Sequence, residues 1–349
     1  MSLLLLVGVL SVVTGLLAWG LTGMARRYAL QRLLDVPNSR SSHQIPTPRG
    51  GGLGIVLAFF TAILVLDRIV GVAPSVKWAL LAALPVAAIG FWDDHGHVSA
   101  RLRLIIHLAA GSCAVYLLGG MAHIALGPFA FELSWIGSGA SVLWIVWCLN
   151  FFNFMDGIDG IAGTEAAFVT GAAGVLTGWL YPESLLAPVF ILFASACLGF
   201  LVWNWPPARI FMGDVGSGFV GVVIGMFTVV SMNKGGLSLA VWLILLTSFA
   251  TDATVTLFRR MWSGQRWYEA HRSHAYQHAA LVFGSHKKVT GGVLLINLVW
   301  LFPLAIAAAK WPAYEWLITV AAYLPVILTV FRLGAGVHGW HESASTNRV

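Results

Sequence analysis

Long apolar runs separated by short polar breaks dominate this chain. A helix needs about 20 apolar residues to cross a bilayer, and roughly 17 are tolerated. Eleven runs approach or reach this length, near 3–23, 51–66, 77–92, 104–122, 138–154, 164–181, 184–203, 216–232, 237–257, 289–309 and 312–332. The pattern predicts an all-α polytopic membrane protein with about 11 transmembrane helices in a single domain, 1–349. The break at 122–137 has strand-like alternation and turn glycines, and we expect it to have only a structural role.

The composition excludes most other classes. Charged residues make up 10% of the chain, whereas a soluble domain carries about 25%. The net charge of +6 is not accompanied by a basic face on a soluble fold, so no nucleic-acid partner is expected. The three cysteines lie inside apolar runs, where they pack as small hydrophobic residues.

The Lys and Arg residues fix a predicted orientation. With the amino terminus outside, only Arg68, Lys77, Lys234 and Lys310 lie in external breaks, and the other 16 lie inside. Such an excess is typical of cytoplasmic loops. The inside loops then lie near 24–50, 93–103, 154–163, 204–215 and 258–288, with a cytoplasmic tail at 333–349. Most carboxylates and histidines share that side, which the Lys/Arg rule does not require. We therefore expect an active site on the cytoplasmic face.

Two polar segments come early in the chain. The first contains His43, then Pro46, Pro48 and Arg49 before three glycines; Arg49 is a candidate phosphate ligand, and an ordinary basic loop is the alternative. The second contains the adjacent carboxylates Asp93 and Asp94, followed by Arg101. Two neighbouring carboxylates at a membrane helix end repel each other. A cation or a catalytic task would explain them, and solvated helix-end charges are the alternative.

The third and fourth segments carry oxygen ligands and glycines. Asn150, Asn153 and Asp156 are spaced by three residues, so neighbouring pairs converge on a helical surface, and Asp159 follows. Carboxylate and amide oxygens at this spacing suit Mg²⁺, with a polar core network as the alternative. Further along, Gly213-Asp214 starts a span, where free backbone N–H groups favour an anion.

The fifth segment is a histidine-rich loop. His271, His274 and His278 have i, i+3, i+7 spacing, so one helical face could present all three. Anion recognition with Arg272 explains this pattern, and structural zinc is the alternative.

Together these segments resemble the polyprenyl-phosphate N-acetylhexosamine-1-phosphate transferase family, the MraY/WecA-like glycosyltransferase family 4. Asp93-Asp94 resemble its aspartate pair, Asn150 to Gly160 its NxxNxxDGxDG segment, and Gly213 to Ser217 its GDxGS metal motif. The sequence HRSHAYQH departs from the HHH pattern of the peptidoglycan branch. Eleven spans also fit the common-antigen and O-antigen initiating branch better than the ten-span peptidoglycan branch.

The resemblance implies a reaction and roles. A sugar 1-phosphate would pass from a UDP-N-acetylhexosamine to undecaprenyl phosphate, releasing UMP, at the bacterial inner membrane. Mg²⁺, with Mn²⁺ as a substitute, would be held by Asn153 and Asp214, while Asp93 and Asp94 would act on the acceptor phosphate. The implied donor-binding residues are Asn150, Asp156, Asp159, Gly213, His271, Arg272 and His274. We count His43, Arg49 and Arg101 as candidates for the acceptor or a phosphate, and the family permits a homodimer.

Several alternatives stay open at this stage. Direct attack by the acceptor is the preferred mechanism, and a two-step route through a phosphorylated Asp is the other. A phosphomonoester is mostly deprotonated at neutral pH, since its second pKa is about 6, so a general base at Asp93 would add little. A cation- or proton-coupled transporter is the rival class, although it would place its polar groups near the bilayer midplane. The sequence does not identify the hexosamine or the envelope polymer.

Overall fold

A computed structural model describes residues 3–37, 45–126, 129–234, 236–266, 271–337 and 340. These residues form a bundle of α-helices with two short β-pairs. The helices are α1 (Leu3–Arg32), α2 (Leu53–Val70), α3 (Pro74–Leu81), α4 (Leu84–His95), α5 (Ala100–Leu118), α6 (Ser134–Met155), α7 (Ile161–Leu180), α8 (Leu186–Asn204), α9 (Asp214–Asn233), α10 (Leu239–Leu245), α11 (Thr247–Trp262), α12 (Ala275–Phe283), α13 (His286–Ile296), α14 (Phe302–Lys310) and α15 (Glu315–Arg332). A π-helical segment, Asn297–Leu301, joins α13 to α14.

The all-α membrane architecture predicted from the apolar runs is confirmed. Within the described residues, nine helical segments are long and apolar enough to cross a membrane, where α3 with α4 and α13 with α14 each count as one segment. The number is ten if α10 and α11 form one broken span. These two helices meet at an 81° bend. Nine or ten of the eleven predicted runs therefore meet this criterion. The run at 164–181 does form a helix, α7, but Glu165, Thr164, Thr170 and Thr177 lower its hydropathy. These polar side chains are all buried against other helices.

The two β-pairs lie in connections between helices. Strands β1 (Leu34–Asp35) and β2 (Thr47–Pro48) pair antiparallel after α1, and β3 (His123–Leu126) pairs antiparallel with β4 (Phe129–Glu132). The second pair confirms the strand-like alternation of the break at 122–137.

Helix α9 forms the centre of the bundle. Every residue from Val215 to Ser231 is buried, and helices α4 and α6 pack along it. Close approach depends on small residues: a Cβ on Gly90 of α4 would lie 2.3 Å from the backbone oxygen of Asp214. The end of α4 therefore lies directly against the start of α9.

Candidate active site at one end of the helix bundle

The start of α9 is capped by a carboxylate from another helix. Asp94, at the end of α4, is 3% exposed. Its two oxygens accept hydrogen bonds from the backbone N–H groups of Asp214 (3.1 Å) and Val215 (3.2 Å). A helix N-terminus favours negative charge because its first N–H groups have no partner within the helix. Gly213 precedes this helix at φ +74°, and a Cβ there would lie 2.5 Å from Asp94. The aspartate pair and the Gly213-Asp214 motif are thereby held against each other.

The guanidinium of Arg103 bridges a carboxylate of the aspartate pair and the carboxylate of the Gly213-Asp214 motif. The Arg103 guanidinium, from the first turn of α5, forms an ion pair with Asp93, and the same nitrogen lies 3.5 Å from Asp214 Oδ2. The other Asp93 oxygen accepts a hydrogen bond from the Val98 N–H at 2.8 Å. Positive charge at this point offsets the repulsion between neighbouring carboxylates.

The third motif reaches the same carboxylate from α6. The side-chain amide of Asn153 donates to Asp214 Oδ1 at 2.9 Å and to Ser217 Oγ at 3.0 Å. The Asn153 carbonyl oxygen takes no part in these two bonds. The predicted pairing of Asn153 with Asp214 therefore has a geometric basis.

The PRGGG segment reaches the site by backbone pairing. The Phe211 N–H donates to Pro48 O at 2.8 Å, and the Gly51 N–H donates to Phe211 O at 2.9 Å. Arg49 is held beside the aspartate pair, with Nη2 donating to the backbone oxygen of Asp94 at 2.7 Å. The segment thus presents a partly exposed guanidinium at the site.

Asp156 ends α6 and faces an acidic environment. Burial, followed by the charges of Asp214, Asp94 and Asp159, raises the pKa of Asp156 well above its usual range. A group surrounded by like charge favours either a proton or a nearby cation. The arrangement is therefore suited to a bound cation or to a cationic group.

Asp159 joins three elements. Its Oδ2 accepts a hydrogen bond from the Ala208 N–H at 3.0 Å, and its Oδ1 lies 3.2 Å from His286 Nδ1. The adjacent Gly160 begins α7 at φ +75°, a left-handed conformation that favours glycine. Its N–H donates to Asn204 Oδ1 at 3.0 Å. Asp159 also borders a cavity of about 480 Å³ that Arg272, His286 and Lys287 line with positive or titratable groups.

The histidine loop is anchored by a buried aspartate of α11. Asp252 accepts hydrogen bonds from the backbone N–H groups of Ala275 and Tyr276, both at 2.9 Å, and from the Thr256 hydroxyl at 3.0 Å. His274 Nδ1 lies 3.2 Å from the same carboxylate. A carboxylate at this distance favours a proton on Nδ1 of His274.

The single helical face expected for the three histidines is not formed. Helix α12 begins at Ala275, so His271 and His274 precede it. His278 instead lies with Nδ1 2.8 Å from Leu333 O. The ring of His271 stacks on that of His274 at 4.9 Å. Burial, with the nearby His274 and Arg260, lowers the pKa of His271 to about 3, so this ring is neutral at pH 7.

The oxygen ligands fit a substrate-assisted metal site better than a protein-only one. Among the residues that the structure describes, no group of three or more His, Cys, Asp or Glu side chains is arranged to hold a metal ion. Mg²⁺ commonly takes only one or two carboxylates and completes its coordination with waters and substrate phosphates. Asp214 with the Asn153 carbonyl oxygen, beside the acidic Asp156, matches that donor set.

Comparison with known proteins agrees with this arrangement. The sequence profile of glycosyl transferase family 4 matches residues 76–232, which include the second, third and fourth motifs. The resemblance to polyprenyl-phosphate hexosamine-phosphate transferases that the motifs predicted is thereby confirmed.

Curated members are similar over most of the chain. A probable undecaprenyl-phosphate N-acetylglucosaminyl 1-phosphate transferase of Bacillus subtilis (strain 168) is 28% identical, covering 89% of this chain and 86% of its own. A decaprenyl-phosphate N-acetylglucosaminephosphotransferase of Mycobacterium leprae is 27% identical, covering 88% and 83%. A phospho-N-acetylmuramoyl-pentapeptide-transferase of Moorella thermoacetica is 28% identical, covering 61% and 70%. These matches give no support to the transporter alternative.

In the structure, the expected residues divide into three groups. The first forms one connected network at the start of α9, and consists of Arg49, Asp93, Asp94, Asn153, Gly213 and Asp214. The second borders that network or the adjoining cavity and loop, and consists of Asp156, Asp159, His271, Arg272 and His274. The third has no described contact with it. Asn150 donates to Val146 O of its own helix, Arg101 is exposed in the first turn of α5, and His43 lies outside the described residues.

Sequence reasoning gave no site role to Arg103 or to Asp252. Arg103 was visible as the second of two arginines after the aspartate pair, but only the start of α5 at Ala100 decides which one faces the site. Residues two apart on a helix point about 200° apart, so Arg101 and Arg103 cannot both do so. Asp252 stands out in the sequence as a carboxylate beside an apolar run, but only the structure shows that it holds the histidine loop.

Proposed function

We propose that this chain transfers a sugar 1-phosphate from a UDP-N-acetylhexosamine to undecaprenyl phosphate and releases UMP. The observation that carries the proposal is the Arg103 bridge between Asp93 and Asp214, which brings two family motifs to one point. Positive groups at the same end, Arg49 and Arg272, suit two substrates that are both anionic. Phosphoryl transfer depends mainly on positioning and on stabilisation of charge.

We further propose that the site works with Mg²⁺. Asp214 and the Asn153 carbonyl oxygen would hold the ion, and Ser217 would keep the Asn153 amide turned toward Asp214. When bound, Mg²⁺ supplies charge neutralisation for the phosphates of the donor. Asp94 holds the first N–H groups of α9, so it keeps Asp214 in place.

The contacts of Asp93 favour an orienting role for this residue. Both of its oxygens already accept hydrogen bonds, one from the Val98 N–H and one from Arg103. These bonds hold the carboxylate in one orientation and stabilise its charged form, which makes it a weaker base and a weaker nucleophile. These bonds support direct attack by the acceptor phosphate over a phosphorylated-Asp intermediate. A sugar phosphate trapped on the protein in the absence of acceptor would contradict this.

The test is UMP release by the detergent-purified protein with undecaprenyl phosphate, Mg²⁺ and a panel of UDP-N-acetylhexosamines. We expect release that requires both lipid and Mg²⁺, and the panel ranks the sugars. Asp214→Ala should lose turnover, whereas Glu183→Ala, at an exposed turn between α7 and α8, should keep it. Folded protein that releases no UMP with any donor of the panel would contradict the proposal.

We also propose that the product starts an envelope glycan of the O-antigen type. The departure of the loop at 271–278 from the HHH pattern supports a branch other than the pentapeptide transferases. Expression in a bacterium that lacks its O-antigen initiating transferase should restore the lipopolysaccharide ladder. Restored peptidoglycan synthesis in a bacterium depleted of its pentapeptide transferase, without a restored ladder in the first host, would instead assign the chain to the other branch.

A further inference from the structure

A chain of buried hydrogen bonds crosses the bundle away from the site. Glu165 of α7 is fully buried and accepts a hydrogen bond from the side-chain amide of Asn297, in the π-helical segment. Asn297 Oδ1 in turn accepts from the Ser248 hydroxyl at 2.7 Å. Three separate elements are therefore joined by two side-chain bonds in the apolar interior. Polar side chains at such a depth are energetically costly, so their presence indicates a structural or functional role.

Both ends of this series of hydrogen bonds lie close in sequence to residues of the proposed donor site. Glu165 lies one turn from Ile161, where α7 begins directly after the motif that contains Asp159. Ser248 lies one turn before Asp252 on α11, and residues four apart share a helical face. Asp252 holds the His274 loop. The bonds thus connect the helix of one donor motif with the anchor of the other.

The position of Ser248 gives the bonds a mechanical role. It lies in the first turn of α11, just after the 81° bend that separates α11 from α10. A broken helix has no continuous backbone hydrogen bonding at the break, so the angle depends on side-chain contacts with neighbouring helices. The π-helical geometry at Asn297 provides the third element with which Ser248 and Glu165 both bond.

We propose that Glu165, Asn297 and Ser248 form a hydrogen-bonded strut that fixes the position of α11 relative to α7. The strut thereby aligns the two halves of the donor site, which are the Asp159 motif and the His274 loop. This inference rests on the proposed function for its kinetic consequence, although the geometric consequence stands alone. Glu165 is a positioning residue, since it touches no reacting group. The strut should affect binding of the donor and leave binding of the lipid acceptor unchanged.

The kinetic test compares two substitutions at Glu165. Glu165→Gln keeps an oxygen that accepts from Asn297, and we expect its KM values to stay within twofold of the parent. Glu165→Leu removes the bond, and we expect the donor KM to rise about threefold to tenfold, the range for one interhelical bond in a membrane protein. The acceptor KM should change less than twofold. Equal changes in both KM values, or a Gln variant as impaired as the Leu variant, would overturn the strut.

Two further variants keep the test decisive if Glu165→Leu does not fold. Ser248→Ala deletes the second bond with little change in volume, and should raise the donor KM in the same direction. Thr170→Val is the matched control, because the buried Thr170 hydroxyl donates to Ala166 O of its own helix and bonds no other helix among the described residues. An equal rise in the donor KM of Thr170→Val would show that any buried polar substitution in α7 has this effect and would refute the strut.

A distance measurement separates the strut from the enzymatic proposal. Spin labels at Val175 of α7 and Phe258 of α11, both exposed, report the spacing of the two helices after the exposed Cys113 is replaced by Ser. We expect one narrow distance distribution in the parent and in Glu165→Gln, and a shifted or broadened one in Glu165→Leu. An unchanged distribution in a folded Glu165→Leu protein would overturn the strut. Absence of UMP release by the parent would contradict the proposed function and leave this readout valid.

Discussion

Substitution of Asp94 tests whether this residue is structural, chemical or both. One Asp94 oxygen accepts a hydrogen bond from the Asp214 N–H, and the other accepts one from the Val215 N–H. In Asp94→Asn, the amide keeps one acceptor and turns an NH₂ donor toward the second N–H. One hydrogen bond to a charged group, worth about 1.5–3 kcal/mol, is lost. A buried negative charge at a helix N-terminus, worth up to about 2 kcal/mol, is lost as well. We expect Asp94→Asn to lower the free energy of unfolding by about 2–4 kcal/mol.

The assay is equilibrium unfolding in mixed detergent micelles, read by circular dichroism, beside UMP release. Asp93→Asn is the matched control, because Asp93 bonds Arg103, which is partly exposed, and caps no membrane helix. Its stability loss should be about 1 kcal/mol, in the range of partly exposed ion pairs, although its turnover should also fall. An Asp94→Asn protein as stable as Asp93→Asn, and equally inactive, would refute the capping argument and leave Asp94 with a purely chemical role.

Three further predictions concern the same end of the bundle. Gly90→Ala should abolish turnover and destabilise the protein, because its Cβ would meet backbone atoms at the start of α9. Gly139→Ala, with open space around it, should retain both turnover and stability. Measurements of turnover and of the thermal midpoint of both variants test this prediction. Arg103→Gln should lose at least tenfold in kcat and Arg103→Lys less, since only a cation can offset Asp93 and its neighbours; equal losses would contradict this. The lowered pKa of His271, about 3, means that the unfolded chain binds a proton below about pH 6.5 while the folded chain does not. Stability should therefore fall as pH decreases through 6.5 toward 3, and His271→Gln should lessen the fall in thermal midpoint between pH 8 and pH 5.

The sequence determined the class of the protein and most of the residue types at its candidate site. Apolar runs fix membrane helices because a backbone in lipid must satisfy its own hydrogen bonds, and each predicted run does coincide with a helix or a broken helix. Polar residues in such a composition stand out, so Asp93, Asn153 and Asp214 could be selected without coordinates.

Only the tertiary structure decided which of these groups meet. Local spacing could not show that Asp94 caps a helix 120 residues away, because that contact depends on how closely α4 approaches α9. Helix phase at Ala100 selected Arg103 over Arg101, and the start of α12 at Ala275 removed the shared face expected for the histidines. Such outcomes depend on helix boundaries and crossing geometry, which apolar periodicity leaves uncertain by several residues. Residue types therefore follow from the sequence here, whereas their partners follow from packing.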